Sequence, residues 1–124
     1  MSFQNRPFTA TVALLCMFVG ALTAAAFAQS AQELAPENAA VNDTLGWTYY
    51  QLGRYVEAVR YLELSAKRAP SALRHAHLAM AYMRSGNEAR AKQALRAAMK
   101  LNPDLPEIAM AQKIVGDNQR SRTQ

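Results

Sequence analysis

Much of residues 45–70, LGWTYYQLGRYVEAVRYLELSAKRAP, comes round again 33 residues later, and that recurrence constrains the chain more than any other feature. The step takes Leu45 to Leu78, Tyr49 to Tyr82 and Gly53 to Gly86, then Ala58 to Ala91, Leu62 to Leu95, Lys67 to Lys100 and Pro70 to Pro103. A period in the low thirties with a turn at mid-repeat marks a stack of helical hairpins, in which each unit buries its apolar face only against its neighbours. The fold expected is all-α, with two hairpins followed by one capping helix.

Apolar spacing sets the helices. Val41, Leu45, Tyr49 and Leu52 recur at three- and four-residue steps, one face of a helix over 39–52. Gly53 ends it, since glycine takes the left-handed conformation that helix termini often require. Tyr55, Val59, Leu62 and Ala66 mark the inward face of a second helix, which Pro70 stops. Ser71 caps a third over 72–85, with Leu78, Ala81, Tyr82 and Ser85 along one side. After the turn at Gly86, Asn87 caps a fourth over 88–101, whose Glu88 and Lys100 suit the two ends of the helix dipole. A last helix is expected over 106–116, opened by Pro106 and closed by Gly116, with Leu105, Ile108, Ala109 and Gln112 covering the end of the stack. The units are thus 39–71 and 72–105. Residues 29–38 read as a mobile polar lead-in and 117–124 as a frayed tail.

Residues 1–28 read as a targeting segment. Arg6 supplies a short basic start, 9–28 carry no charge, and Ala26-Phe27-Ala28 puts small residues at the two positions a signal peptidase inspects. The expectation is cleavage after Ala28 and an exported chain, periplasmic or secreted. The alternative is an inner-membrane anchor over 9–28, because about 20 uncharged residues span a bilayer as a helix. Lipidation is excluded by Leu15, which stands where a small residue would precede Cys16. Cys16 is the only cysteine, so the mature chain would hold no thiol, disulfide or cysteine metal site. Loss of Arg6 leaves thirteen basic residues against nine acidic, a net of about +4, which permits contact with anionic surfaces without demanding it.

These spacings resemble the tetratricopeptide repeat, whose helix pairs follow W-x2-L-G-x2-Y, then A-x3-F, then P. In the first unit Leu45-Gly46-x2-Tyr49, Ala58-x3-Leu62 and Pro70 keep that order; in the second Leu78-Ala79-x2-Tyr82, Ala91-x3-Leu95 and Pro103 keep it. The small residues Gly46, Ala79, Ala58 and Ala91 let neighbouring helices approach closely. Asn42 and His75 depart from the tryptophan of the pattern, Leu62 and Leu95 from its aromatic, and the period is one residue short of the usual 34, the missing one falling near Ser71-Ala72. Two units and one helix are few for a stack, so either the last helix caps a monomer or a second copy or partner completes the pile.

The resemblance implies a concave groove lined by the first helix of each pair and able to hold a peptide or partner helix. Groove positions are then Asp43, Trp47, Tyr50 and Gln51 on the first such helix, and Leu73, Ala76, His77, Met80, Met83 and Arg84 on the second, with Met110 continuing the row. Aromatic residues anchor interfaces and methionine adapts to varied apolar shapes, so Trp47, Tyr50, Met80 and Met83 suit an extended segment or amphipathic helix. The competing reading is that the lead-in or the last helix folds over them. Some relatives clamp a terminal carboxylate with lysines and asparagines; Asp43, Trp47 and His77 stand at those places, so that clamp is missing, although Arg84 remains to pair with an acidic group.

Lys92, Arg96 and Lys100 form a basic row at four-residue steps, read mainly as a solvated face and otherwise as a weak contact for an anionic surface. No aromatics interleave with it, which argues against nucleic acid. His75 and His77, two apart, point to different sides of a helix and so do not make a metal pair. No glycine-rich phosphate loop or nucleophile–base pair is legible. The sequon at Asn42 falls inside a helix and is discounted. The chain therefore reads as a non-catalytic interaction adaptor of the cell envelope without a cofactor, binding a protein or peptide. The alternative is a structural or anchored subunit that packs or self-associates through its repeats.

Overall fold

The computed structural model describes residues 6–122; residues 1–5 of the expected targeting segment and 123–124 of the expected tail lie outside it. Among the described residues the elements are helices: α1 Arg6–Leu34, α2 Ala39–Gln51, α3 Tyr55–Arg68, α4 Ala72–Arg84, α5 Glu88–Leu101 and α6 Pro106–Arg122. Gly53 (φ 76°) and Gly86 (φ 89°) turn the chain between α2 and α3 and between α4 and α5, in the left-handed region that glycine enters without a Cβ clash. Side chains open three helices: Asn38 accepts from the amides of Ala40 and Val41, Ser71 from Arg74, and Asn87 from Arg90.

Each hairpin closes on small residues. A Cβ on Gly46 would sit 2.6 Å from Leu62 Cγ, so only glycine lets α2 lie this close to α3. Ala79, the matching residue of α4, is fully buried, as are Ala58 and Ala91 on the returning helices. Ser65 Oγ donates to the Ala39 carbonyl at 2.6 Å, tying the end of α3 to the start of α2. The core runs on through Leu45, Tyr49, Leu62, Leu78, Tyr82, Leu95 and Ala98. α4 sits at its centre, packed against α3, α5 and α6.

Two elements differ from the sequence expectation, in three respects. Residues 29–34 continue α1, and only 35–38 turn. Ala25 and Ala28 are buried, α1 packs on α2, and Gln29 Nε2 donates to the Tyr49 hydroxyl. One repeat later the Tyr82 hydroxyl bonds to Glu63 of α3. α1 thus stands to α2 as α3 stands to α4: it is the returning helix of a unit placed ahead of the first.

The second difference is at Gly116, which stays helical and leaves α6 running to Arg122. A lone glycine inside a helix costs only about 1 kcal/mol relative to alanine, and no residue after it breaks the helix. The third is the phase of α6. Ile108, Ala111 and Val115 are buried, whereas Ala109 and Gln112 are exposed. Counted by 33, Ala111 and Val115 fall on Leu78 and Tyr82, so α6 has the packing phase of a third unit's first helix.

Candidate functional site

The first helices of the units bring several of the expected groove residues into one polar-edged aromatic stack. His77 Nδ1 donates to Asp43 Oδ1 at 3.1 Å, joining α4 to α2. The Trp47 ring lies 4.1 Å from that of His77 and 4.7 Å from that of Tyr50, at interplanar angles of 16° and 7°. Tyr55 leans on the far side of Tyr50 at 5.5 Å. The exposed Arg84 side chain lies beside the Tyr50 hydroxyl, which raises the arginine pKa above its usual value. Asp43, Trp47, Tyr50, His77 and Arg84 are therefore one connected wall, with Gln51 exposed at its edge. Stacked rings lose little on binding because their side chains are already fixed.

Met80 and Met83 do not belong to the open wall. Met80 is 0 % exposed and Met83 only 7 %, and Ala76 beside them is also buried. The reason is α6, which packs along α4 and covers the row that continued from Trp47 and Tyr50. Leu73 is half-buried, and Met110 is exposed on α6. Where α4 and α6 diverge, Met83, Arg84, Ile114, Asp117, Asn118 and Ser121 line a pocket of about 420 Å³. Four of these were not legible as site residues, because they lie at or beyond Ile114, where the sequence suggests a helix about to end.

Elsewhere, His75 points away from His77 and lines a cavity between α4 and α5. Burial pushes its pKa down. Asn42 is fully buried, and its Nδ2 donates to the carbonyls of Pro36 and Asn38 at 2.9 and 3.0 Å, so it is no surface sequon. In the basic row Lys92 is paired with Glu88 at 2.7 Å, while Arg96 and Lys100 stand exposed beside Met99.

A comparison with known protein families matches the tetratricopeptide repeat twice, at residues 39–72 and 72–105. The chain belongs to the tetratricopeptide repeat family. The two matches abut at Ala72 and cover α2 to α5, the two hairpins built on Gly53 and Gly86. Tetratricopeptide repeats mediate protein–protein interaction, and their proteins are typically non-catalytic scaffolds. A comparison with curated proteins finds no match. Among the described residues no helix is long and apolar enough to cross a membrane.

Proposed function

We propose that this tetratricopeptide repeat protein is a non-catalytic adaptor of the cell envelope, exported with cleavage after Ala28, that holds a segment of a partner protein against its concave face. The observation that carries the reading is the ordered stack Tyr50–Trp47–His77, fixed at the His77 end by Asp43 and flanked at the Tyr50 end by exposed Arg84. It offers a rigid apolar strip with one acid, one cation and an amide on its rim. The adjacent pocket by Met83 and Ile114, edged by Arg84, Asp117, Asn118 and Ser121, takes one polar side chain of the bound segment. An extended segment or one helix face carrying an acidic residue toward Arg84 matches this layout.

The test is a crosslinking pull-down from envelope extract with the wild-type chain and with Gln51→Ala/Arg84→Glu, which changes only exposed rim residues. A partner retained by the first and lost with the second supports the concave face. A partner retained by both removes it. The Trp47→Ala/Tyr50→Ala variant is informative only where its helicity and melting match the wild type, because Trp47 also packs on buried His77.

A second reading, self-association through the first helix, is favoured by one observation. Phe27 and Leu34 are 80 % and 88 % exposed on α1, with Val19 and Leu22 exposed further up the same helix. N-terminal sequencing of the mature protein and light scattering on residues 29–124 and on the full chain separate the two. A monomer that begins at Gln29 leaves the adaptor reading; an intact N-terminus in a dimer replaces it.

A further inference from the structure

The two repeats share one register, and one of the places where they differ is the face of the returning helix that meets the tyrosine common to both. On the convex side of the first repeat, Tyr61 of α3 stacks on Tyr49 of α2, ring centroids 5.6 Å apart and 18° between planes. Leu64 follows one turn later. Adding 33 takes Tyr49 to Tyr82, Tyr61 to Ala94 and Leu64 to Ala97. The receiving tyrosine is kept, while the ring that packs on it and the leucine beside it are both reduced to alanine.

The structure shows what that leaves. His75, Leu78, Tyr82, Arg90, Gln93, Ala94 and Ala97 line a cavity of about 290 Å³ between α4 and α5. Ordinary ligand pockets begin at about 300 Å³, so there is room for a ring and little more. The floor is apolar: Leu78, Ala94 and the Tyr82 ring, all buried. His75, Arg90 and Gln93 supply polar groups at the mouth, with Arg90 and Gln93 exposed. The Tyr82 ring is held for the purpose, since its hydroxyl bonds to Glu63 and the Arg90 guanidinium lies 5.8 Å from the ring centre.

We propose that this cavity binds a tyrosine side chain presented by a partner protein, seated on Tyr82 as Tyr61 is seated on Tyr49. The ring is specified by the first repeat, which shows the same backbone frame filled by a phenol. The hydroxyl is specified by the mouth, where His75 and Gln93 offer hydrogen-bond partners to an oxygen, Arg90 being paired with Glu63. The protein source is specified by the opening, which faces outward beside exposed Arg90 and Gln93, so that the chain bearing the tyrosine stays in solvent. This site lies on α4 and α5, away from the aromatic stack, and stands or falls independently of the concave face.

The experiment is an amide NMR titration of the full chain with N-acetyl-tyrosinamide, with p-cresol and toluene as comparison probes. Saturable shifts are expected at His75, Tyr82, Gln93 and Ala94 with the tyrosine amide and p-cresol, and weaker ones with toluene. Ala94→Tyr restores the missing ring and abolishes the shifts; should it fail to fold, Ala97→Leu narrows the same cavity. Tyr61→Ala opens a matching cavity in the first repeat, adding a second set of shifts around Asn42 and Tyr49. The proposal is overturned if no saturable shifts occur at these residues, or if they persist in a folded Ala94→Tyr protein. Saturation by p-cresol without any by the tyrosine amide overturns the protein source, leaving a site for free phenols.

Discussion

Gly46 and Gly116 both lie inside helices, yet an added methyl group meets opposite surroundings. At Gly46 it would press on Leu62 Cγ at 2.6 Å and on the Leu62 backbone nitrogen at 3.0 Å; at Gly116 nothing lies within 4 Å. Overpacking a core costs about 1–3 kcal/mol, while alanine for glycine inside a helix returns about 1 kcal/mol. Gly46→Ala is therefore expected to lower stability in urea titration and Gly116→Ala to raise it by up to about 1 kcal/mol. Equal shifts in the same direction would refute the close contact of α2 with α3.

A third residue sets a pH limit. Burial, with help from the Glu63 carboxylate, pushes the Tyr82 hydroxyl up to about 12. An unfolded tyrosine ionises near ~10. Between these values the folded state holds a proton that the unfolded state has released, so this contribution to stability is complete below pH ~10 and is lost as pH rises towards about 12. Stability measured against pH should fall across that window, and Tyr82→Phe should flatten the fall.

Among the elements, α2 to α5 were legible because each has a copy in register with it: one repeat corroborates the helix limits, caps and small residues of the other. α6 has no complete copy. Leu105, Ile108, Ala109 and Gln112 make as good a stripe on paper as Ile108, Ala111 and Val115, and only contact with α4 chooses between them. The burial of Met80 and Met83 was hidden for the same reason, since it depends on a helix whose facing side was not fixed. α1 was hidden by its composition, because an uncharged alanine-rich run reads as an address before it reads as a packing partner. Ile108 is 1 % exposed, so Ile108→Ala should cost about 2–5 kcal/mol and expose the methionines beneath α6. Increased binding of a hydrophobic dye alongside the lower melting temperature is the readout; a destabilised protein that takes up no dye would mean that α6 is not the cover.

For the whole molecule, contacts run between neighbouring helices and stability should be graded along the stack. α4 is enclosed by α3, α5 and α6, whereas α1 packs on α2. Amide exchange is expected to be slowest in α4 and fastest in α1 and the last turns of α6. Uniform exchange across all six helices would show a single cooperative block instead.

With the proposed cleavage after Ala28, the first helix would also set a clock. Ala28 is buried on α2, and the next residue, Gln29, grips the Tyr49 hydroxyl. A peptidase needs the bond between them extended and accessible, so once the first hairpin has closed on α1 the proposed scissile link would be withdrawn. Cleavage and folding would then be competitors in time. A chain that folds early keeps its leader as a structural helix, and one cut early starts its stack six residues before the turn at 35–38, with a helix remnant too short to persist unless Tyr49 holds it. One gene product would give two molecules, sorted by which event came first.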